Sequence, residues 1–268
     1  MDGSIATGAA VSVMLIRAGV SPIATLPIAF LAGALAGMVT GLLNTALGIP
    51  GILASILTQI SLYSINLNIM GKANQPVSVD NYPLVVSLRY VTDGSVSRLL
   101  FFLGMIVFLL ALIAVMYWYF GTEQGHAIRA TGCNSNMARA QGINTNFIKV
   151  LALMISNGLV GLCGALYGQF QGASDVNMGR GAIVIGLAAV IIGEVLFGKF
   201  ASKRKLAFAF TLASVILGAV IYYMVYQFVL WLKMPSEDMK LFSAIVVAIF
   251  LAIPYLKEKR TLRKGASK

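Results

Sequence analysis

Few side chains in this sequence could carry out chemistry, and none of them stands in a catalytic pattern. His126 is the single histidine, and Cys133 and Cys163 are the two cysteines, without a Cys-x-x-Cys or Cys/His cluster. The sequence contains no Ser/His/Asp set and no paired carboxylates. It therefore predicts no enzyme active site, no metal site and no disulfide framework, and we expect His126 to be a surface residue.

One stretch, GEVLFGKF (193–200), fits G-x-x-x-x-G-K, the beginning of a phosphate-binding loop. It ends in Phe200, where serine or threonine would hold magnesium, and it closes an apolar segment instead of following a strand. We therefore predict that this chain has no nucleotide site of its own.

The composition is that of a protein embedded in lipid. The chain has 268 residues, of which 59% are hydrophobic and 11% charged, whereas soluble domains carry about 25% charged residues. Twenty-two consecutive residues, Leu99–Phe120, carry no charge, and a helix of about 20 apolar residues crosses a bilayer. These features predict an all-α, polytopic membrane protein and argue against a soluble helical bundle.

Eight apolar segments predict about eight transmembrane helices. They lie near residues 5–20, 22–47, 50–70, 98–120, 149–169, 182–199, 206–232 and 240–256. The longest connection, 71–97, contains the alternating stretch YPLVVSLRYV, which is compatible with a short helix or a strand. Glycines four residues apart, in GALAGMVTG and GALYG, predict close helix packing.

The basic residues predict the orientation. Residues 121–149, 199–205 and 257–268 fall on one side of the membrane and contain 13 of the 20 lysines and arginines. Cytoplasmic loops are enriched in basic residues, so these segments and both chain ends are predicted to be cytoplasmic. The net charge of +11 is therefore attributed to anionic lipid, and no nucleic-acid partner is expected.

The polar stretch EQGHAIRATGCNSNMARAQGIN (123–144) interrupts the apolar segments. Asn134 or Ser135 can cap a helix, MARAQ favours helix, and Gly142 suits a left-handed stop. We predict a short helix from about Ser135 to Gln141 that displays Met137 and Arg139. On these residues alone, a helix that docks into a partner and a capped loop helix at the lipid headgroups both remain possible.

The same residues resemble a known family. GHAIRATGCNSNMARAQGIN, SNGLVGLCGALYGQFQG and DVNMGRGAIVIGLAAVIIGE are similar to permease subunits of ATP-binding-cassette importers. The resemblance is to the superfamily of branched-chain amino acid and ribose permeases, nearest to the small permeases paired with binding proteins of the tryptophan/tyrosine type. It implies one permease domain over 1–256, with a coupling loop at 121–148, and a basic cytoplasmic tail over 257–268.

The resemblance also implies partners and roles. A separate ATPase would bind ATP and magnesium, an extracytoplasmic binding protein would deliver the solute, and a second permease, identical or similar, would complete the route across a bacterial cytoplasmic membrane. The short helix would transmit closure of the ATPase. The matching positions are Gly125, Ala127, Arg129, Ala130, Gly132, Asn134, Ala138, Arg139, Ala140 and Gly142.

Polar side chains inside the apolar segments are candidates for the translocation path, because such groups are unfavourable against lipid. Gln59, Tyr63 and Asn66 share a helix face by their spacing. Asn157, Gln169 and Glu194 are further candidates, although buried amides also bond to neighbouring backbone, and Glu194 could pair with Lys199 or Lys203. Asp175 and Arg180 lie in an outer turn, where they could pair with each other or contact the binding protein.

Two other classes of function fit the sequence less well. An ion-coupled secondary transporter needs buried carboxylates, and Glu194 is the only acidic residue well inside an apolar segment. A membrane scaffold does not explain the polar loop. Family members usually have another membrane helix before the stretch that matches DGSIATGAAV, so we expect this chain to lack that helix.

Overall fold

The computed structural model describes residues 1–77, 82, 84–87, 95–201, 207–231 and 248. Its residues group into two compact units, Met1–Arg180 and Gly181–Lys268, and each unit is described by itself. The predicted helix at 240–256, except for residue 248, and the basic tail lie outside the described residues. The same holds for half of YPLVVSLRYV, residues 83 and 88–91, and for the side chains of Lys199 and Lys203.

The first unit contains seven helices and two short strands among its described residues. They are α1 (Asp2–Arg17), α2 (Pro22–Thr45), α3 (Gly51–Met70), β1 (Asn74–Pro76), α4 (Ser95–Phe120), α5 (Glu123–Cys133), α6 (Ser135–Ala140), α7 (Thr145–Gln171) and β2 (Ala173–Asp175). The second unit contains α8 (Ala182–Ala201) and α9 (Ala207–Trp231). The all-α membrane architecture is therefore confirmed.

Among the described residues, five helices are long and apolar enough to cross a membrane. They span Pro22–Thr45, Gly51–Met70, Leu99–Phe120, Thr145–Gln171 and Phe208–Gln227, and Ala182–Leu196 is a shorter apolar helix. α1 has 16 residues, which is below the usual spanning length. The predicted count of eight crossings thus remains a prediction.

The connection after α3 contains a short strand, whereas the described residues of YPLVVSLRYV are neither helix nor strand. β1 pairs with β2 in antiparallel register, with Gln75 opposite Ser174. The strand lies at Asn74–Pro76, before the alternating stretch that suggested it. We call this side of the first unit the sheet end, and the side that carries residues 121–148 the loop end.

Side-chain contacts fix the directions of the helices in the first unit. Ser12 and Thr25 join α1 and α2 at the sheet end by a hydrogen bond of 2.9 Å, and Thr40 donates to Thr58 at 2.9 Å where α2 meets α3. α1, α3 and α7 therefore run toward the sheet end, and α2 runs toward the loop end.

The predicted glycine packing is confirmed at α7. A β-carbon at Gly33 or Gly37 of α2 would overlap the carbonyl oxygen of Asn157 or Leu153, respectively. On α7 itself, a β-carbon at Gly164 would overlap the carbonyl of Ile5 in α1. Helices in lipid lack a hydrophobic drive to associate, so this close backbone approach is a main source of their attraction.

In the second unit α8 and α9 are antiparallel. Gly193 meets the backbone of Ser214, and Gly218 meets that of Ala189. Ile192 and Tyr222 are buried in the same interface. The stretch 193–200 lies inside the continuous helix α8.

These contacts predict opposite effects for two glycine substitutions. Gly33→Ala should lower the thermal unfolding temperature in detergent, because overpacking costs about 1–3 kcal/mol. Gly104→Ala, in α4, should leave it unchanged or raise it, since among the described residues no atom beyond the adjacent backbone of α4 lies within 4 Å of the new methyl group, and alanine favours helix by about 0.5–1 kcal/mol. Equal unfolding temperatures for the two variants would contradict the backbone contact.

Candidate coupling loop and polar cavity

The predicted short helix is present at the loop end as α6, Ser135–Ala140. The side-chain oxygen of Asn134 accepts hydrogen bonds from the backbone N–H groups of Asn136 and Met137, both at 3.1 Å. Asn134 is therefore the N-cap, which decides between the two candidates for that position. After the helix, Gly142 has φ +83°, the left-handed conformation expected there.

Helix α6 presents one apolar and one basic side chain outward. Met137 is 61% exposed and Arg139 is also exposed, whereas Ala138 is 4% exposed and packs inward. The guanidinium of Arg139 donates to the hydroxyl of Thr145 at 3.2 Å. Because Thr145 is buried at the start of α7, this bond ties the exposed helix to a membrane helix.

A second helix, α5, precedes α6 and was not predicted. The hydroxyl of Thr122 accepts from the backbone N–H of Gly125 at 3.4 Å and caps the helix. Gly125 is buried, and a β-carbon there would overlap the backbone of Phe120. Two features of the sequence could have indicated this helix. Thr122 is a suitable N-cap residue, and Ile128 and Thr131, three residues apart, lie on one helix face.

The remaining matched positions are divided between surface and core. Gly125 is buried and Ala127 is half-buried, whereas the others are exposed: Arg129, Ala130, Gly132, Ala140 and Gly142. His126 is exposed, as expected, and its Nδ1 lies 2.8 Å from the carbonyl oxygen of Thr122. Phe147, 58% exposed on the first turn of α7, adds an apolar group that sequence analysis did not select.

A polar cavity of about 270 Å³ lies elsewhere in the first unit, between α1, α3 and the turn that follows β2. Gln59, Tyr63 and Asn66 of α3 line it together, as their spacing predicted. Asp2 and Arg180 line the same cavity. The structure thus places three predicted path residues beside a charged residue that the sequence assigned to another surface.

Asn66 differs from the other buried amides described. It is 0% exposed, and neither its side-chain oxygen nor its side-chain nitrogen has a hydrogen-bond partner among the described residues. Leaving a buried polar group unpaired costs about 1–3 kcal/mol. Such a group is typical of a site that receives a ligand or water.

Asn157 and Gln169 are hydrogen-bonded to neighbouring protein groups, which is the alternative to lining the translocation path. Asn157 accepts from the hydroxyl of Ser4 at 2.8 Å and donates to the carbonyl of Leu153 at 2.9 Å. Gln169 accepts from the backbone N–H of Val85 at 3.1 Å, and its Nε2 contacts Ser12, Pro22 and Thr25. These bonds favour a role in joining α1 and α2 to α7.

The remaining candidates, Asp175, Arg180 and Glu194, do not take part in the hydrogen bonds of these amides. The carboxylate of Asp175 accepts from the backbone N–H of Asn177 at 2.6 Å, so it stabilises its own turn. Arg180 faces the cavity and makes no ion pair with Asp175 among the described residues. Glu194 is exposed on α8 in the second unit, and its role in the path remains a prediction.

Long apolar helices, glycine-mediated packing and one structured polar loop define a multi-spanning helical membrane protein. Residues 1–254 match the family model for the permease component of branched-chain amino acid transport systems. The chain therefore belongs to this family, as the sequence resemblance indicated. It is a permease subunit of an ATP-binding-cassette importer in a bacterial cytoplasmic membrane.

Several curated relatives support this assignment. A tyrosine transport system permease protein of Clostridioides difficile is 39% identical over 251 residues, which cover 94% of this chain and 79% of the relative. An uncharacterized protein of Rickettsia prowazekii is 30% identical, covering 94% of this chain and 85% of its own length. The autoinducer 2 import system permease protein LsrC of Yersinia pseudotuberculosis is 28% identical, covering 87% and 62%. No solved structure gives a significant match.

Two buried asparagines provide a matched test of the polar cavity. Asn66→Leu should keep or raise the thermal unfolding temperature, because it removes an unpaired amide of similar size. Asn157→Leu should lower it by the equivalent of about 1–3 kcal/mol, because the hydroxyl of Ser4 loses its buried acceptor. A comparable loss of stability in both variants would show that Asn66 is bonded in the protein.

Proposed function

We propose that this permease imports an amino acid, with an aromatic amino acid as the first candidate, and that α6 receives the force from a separate ATPase. The name of the 39% identical relative, a tyrosine transport system permease, supports the solute class. Permeases of such importers work with an ATPase and a binding protein in general. We propose that the ATPase binds this chain at α6.

The observation that carries the coupling role is the construction of α6. A six-residue helix is too short to be stable alone in water, yet this one is capped at Asn134, stopped at Gly142 and bonded through Arg139 to α7. It exposes Met137, an adaptable apolar side chain. A short, capped and exposed helix that is bonded to a membrane helix is suited to insertion into a cleft of a partner.

The ATPase partner, rather than this chain, would bind ATP and magnesium. In the structure the stretch 193–200 is part of the helix α8, whereas a phosphate-binding loop connects a strand to a helix. This supports the proposal that the chain hydrolyses no nucleotide. Movement of the ATPases would draw the α6 helices of two permease copies together and change access to the path between them.

Charge reversal at Arg139 tests the coupling contact. Arg139→Glu should reduce the amount of co-purified ATPase at least tenfold, which corresponds to about 1.4 kcal/mol, because it places a carboxylate where a cation meets the partner. Lys72→Glu, which reverses an exposed charge in the connection near β1, should leave co-purification unchanged. Normal co-purification of the Arg139 variant, at equal membrane insertion, would remove Arg139 from the interface.

The side of the membrane on which the loop lies can be measured directly. With Cys163 replaced by serine, Cys133 is the only cysteine in the chain, and it is exposed beside α6. A membrane-impermeant maleimide should label it in inside-out vesicles and leave it unlabelled in intact cells. Labelling from outside would place α6 beyond the reach of a cytoplasmic ATPase and overturn the coupling proposal.

A further inference from the structure

The polar cavity lies at the depth of the middle of the spanning helices. Ser4 bonds to Asn157, near the midpoint of α7, and a β-carbon at Gly3 would lie 3.4 Å from the Cα of Gln59, near the midpoint of α3. Residues 176–180 reach the same level, because a β-carbon at Gly179 would overlap the backbone carbonyl of Asp2. The cavity therefore lies well below the sheet end.

Residues 176–180 are non-helical backbone at the depth of the spanning helices, where unpaired backbone polar groups are unfavourable. Within a membrane it occurs only where it is buried in protein or lines a cavity. Residues 176–180 form turns, with Met178 N–H donating to the carbonyl of Asp175 at 3.1 Å and Arg180 N–H to that of Asn177 at 2.9 Å. The turn places Arg180, an exposed residue, in the wall of the cavity, where a charge facing lipid would be unfavourable.

The lining of the cavity is chemically specific. Its polar side chains are those of Asp2, Gln59, Tyr63, Ser64, Asn66, Asn177 and Arg180. The planar guanidinium of Arg180 matches a carboxylate in geometry and charge, and Asp2 offers the opposite charge on another wall. The amides of Gln59 and Asn66 can both donate and accept hydrogen bonds, and the amide of Asn66 has no hydrogen-bond partner among the described residues.

We propose that this cavity binds a zwitterionic amino acid inside the permease, with its carboxylate at Arg180 and the amides of Gln59 and Asn66 beside it. A volume of about 270 Å³ is close to the lower limit of small-molecule sites, about 300–1,000 Å³, which fits a single amino acid. A solute without a carboxylate would bring no counter-charge to Arg180. The proposal rests on the proposed function, because it names the place where the imported amino acid is held.

This assignment changes the role of Arg180. The sequence placed it in an outer turn, available to the binding protein. In the structure its side chain lines the same cavity as Gln59 and Asn66, so the solute, rather than the binding protein, is its partner. The two roles predict different consequences when the arginine is removed.

The test uses a thiol at Ser64, an exposed residue in the cavity wall. Cys133 and Cys163 are replaced by serine, Ser64→Cys is introduced, and the complete importer is placed in lipid nanodiscs. The rate of methanethiosulfonate modification is measured with L-tyrosine, L-leucine or L-serine, and with tyramine, which lacks the carboxylate. At least one amino acid should slow modification several-fold, and tyramine should not.

Substitutions at Arg180 identify the carboxylate partner. Arg180→Gln should abolish protection by the amino acid, Arg180→Lys should retain part of it, and Lys72→Gln should retain all of it. Protection by tyramine equal to that by L-tyrosine, no protection by any of the three amino acids, or full protection in Arg180→Gln would each overturn the proposal. So would a loss of binding-protein docking in Arg180→Gln with protection intact.

The outcomes are independent of the coupling contact. Protection measures occupancy of the cavity and requires neither ATP nor a correctly docked α6. Loss of the ATPase interaction with protection intact would therefore contradict the coupling role of α6 alone. Normal ATPase binding with no protection would contradict only the cavity.

Discussion

Helix α7 packs backbone to backbone against α1 and α2, and the proposed coupling loop and the polar cavity both take their positions from that packing. Gly161 of α7 lies where β-carbons on Gly8 or Gly33 would meet its backbone. Lipid supplies no hydrophobic force between helices, so dispersion contacts at this short range and buried hydrogen bonds hold them together. The bonds of Asn157 and Gln169 lie at the middle and at the sheet end of the same interface.

The same helix connects the two regions. At the loop end, Asn144 caps α7 through the backbone N–H of Phe147 at 3.2 Å, and Arg139 bonds to Thr145 one residue later. Near its midpoint, α7 contacts Ser4, two residues from the cavity-lining Asp2. A force applied to α6 would therefore reach the region of the cavity through one continuous helix rather than through a flexible loop.

Much of the polar loop could be predicted because its signals are local. The cap at Asn134 and the stop at Gly142 depend on residues within one helical turn, and the predicted end of α6 differs from the observed one by a single residue. α5 was missed for a tertiary reason. Gly125 is a glycine because the backbone of Phe120 approaches it, and from the sequence alone such a glycine is indistinguishable from one in an irregular loop.

The sequence by itself determined the class of protein, since long uncharged segments and basic loops permit only helices that cross a membrane. It also placed Gln59, Tyr63 and Asn66 on one face, because helical spacing alone decides that. Only the tertiary structure separated the bonded amides Asn157 and Gln169 from the unpartnered Asn66, and only it brought Arg180 into a cavity. Whether a polar group is satisfied depends on partners more than a hundred residues away, such as Ser4 for Asn157, and spacing along the chain carries no information about them.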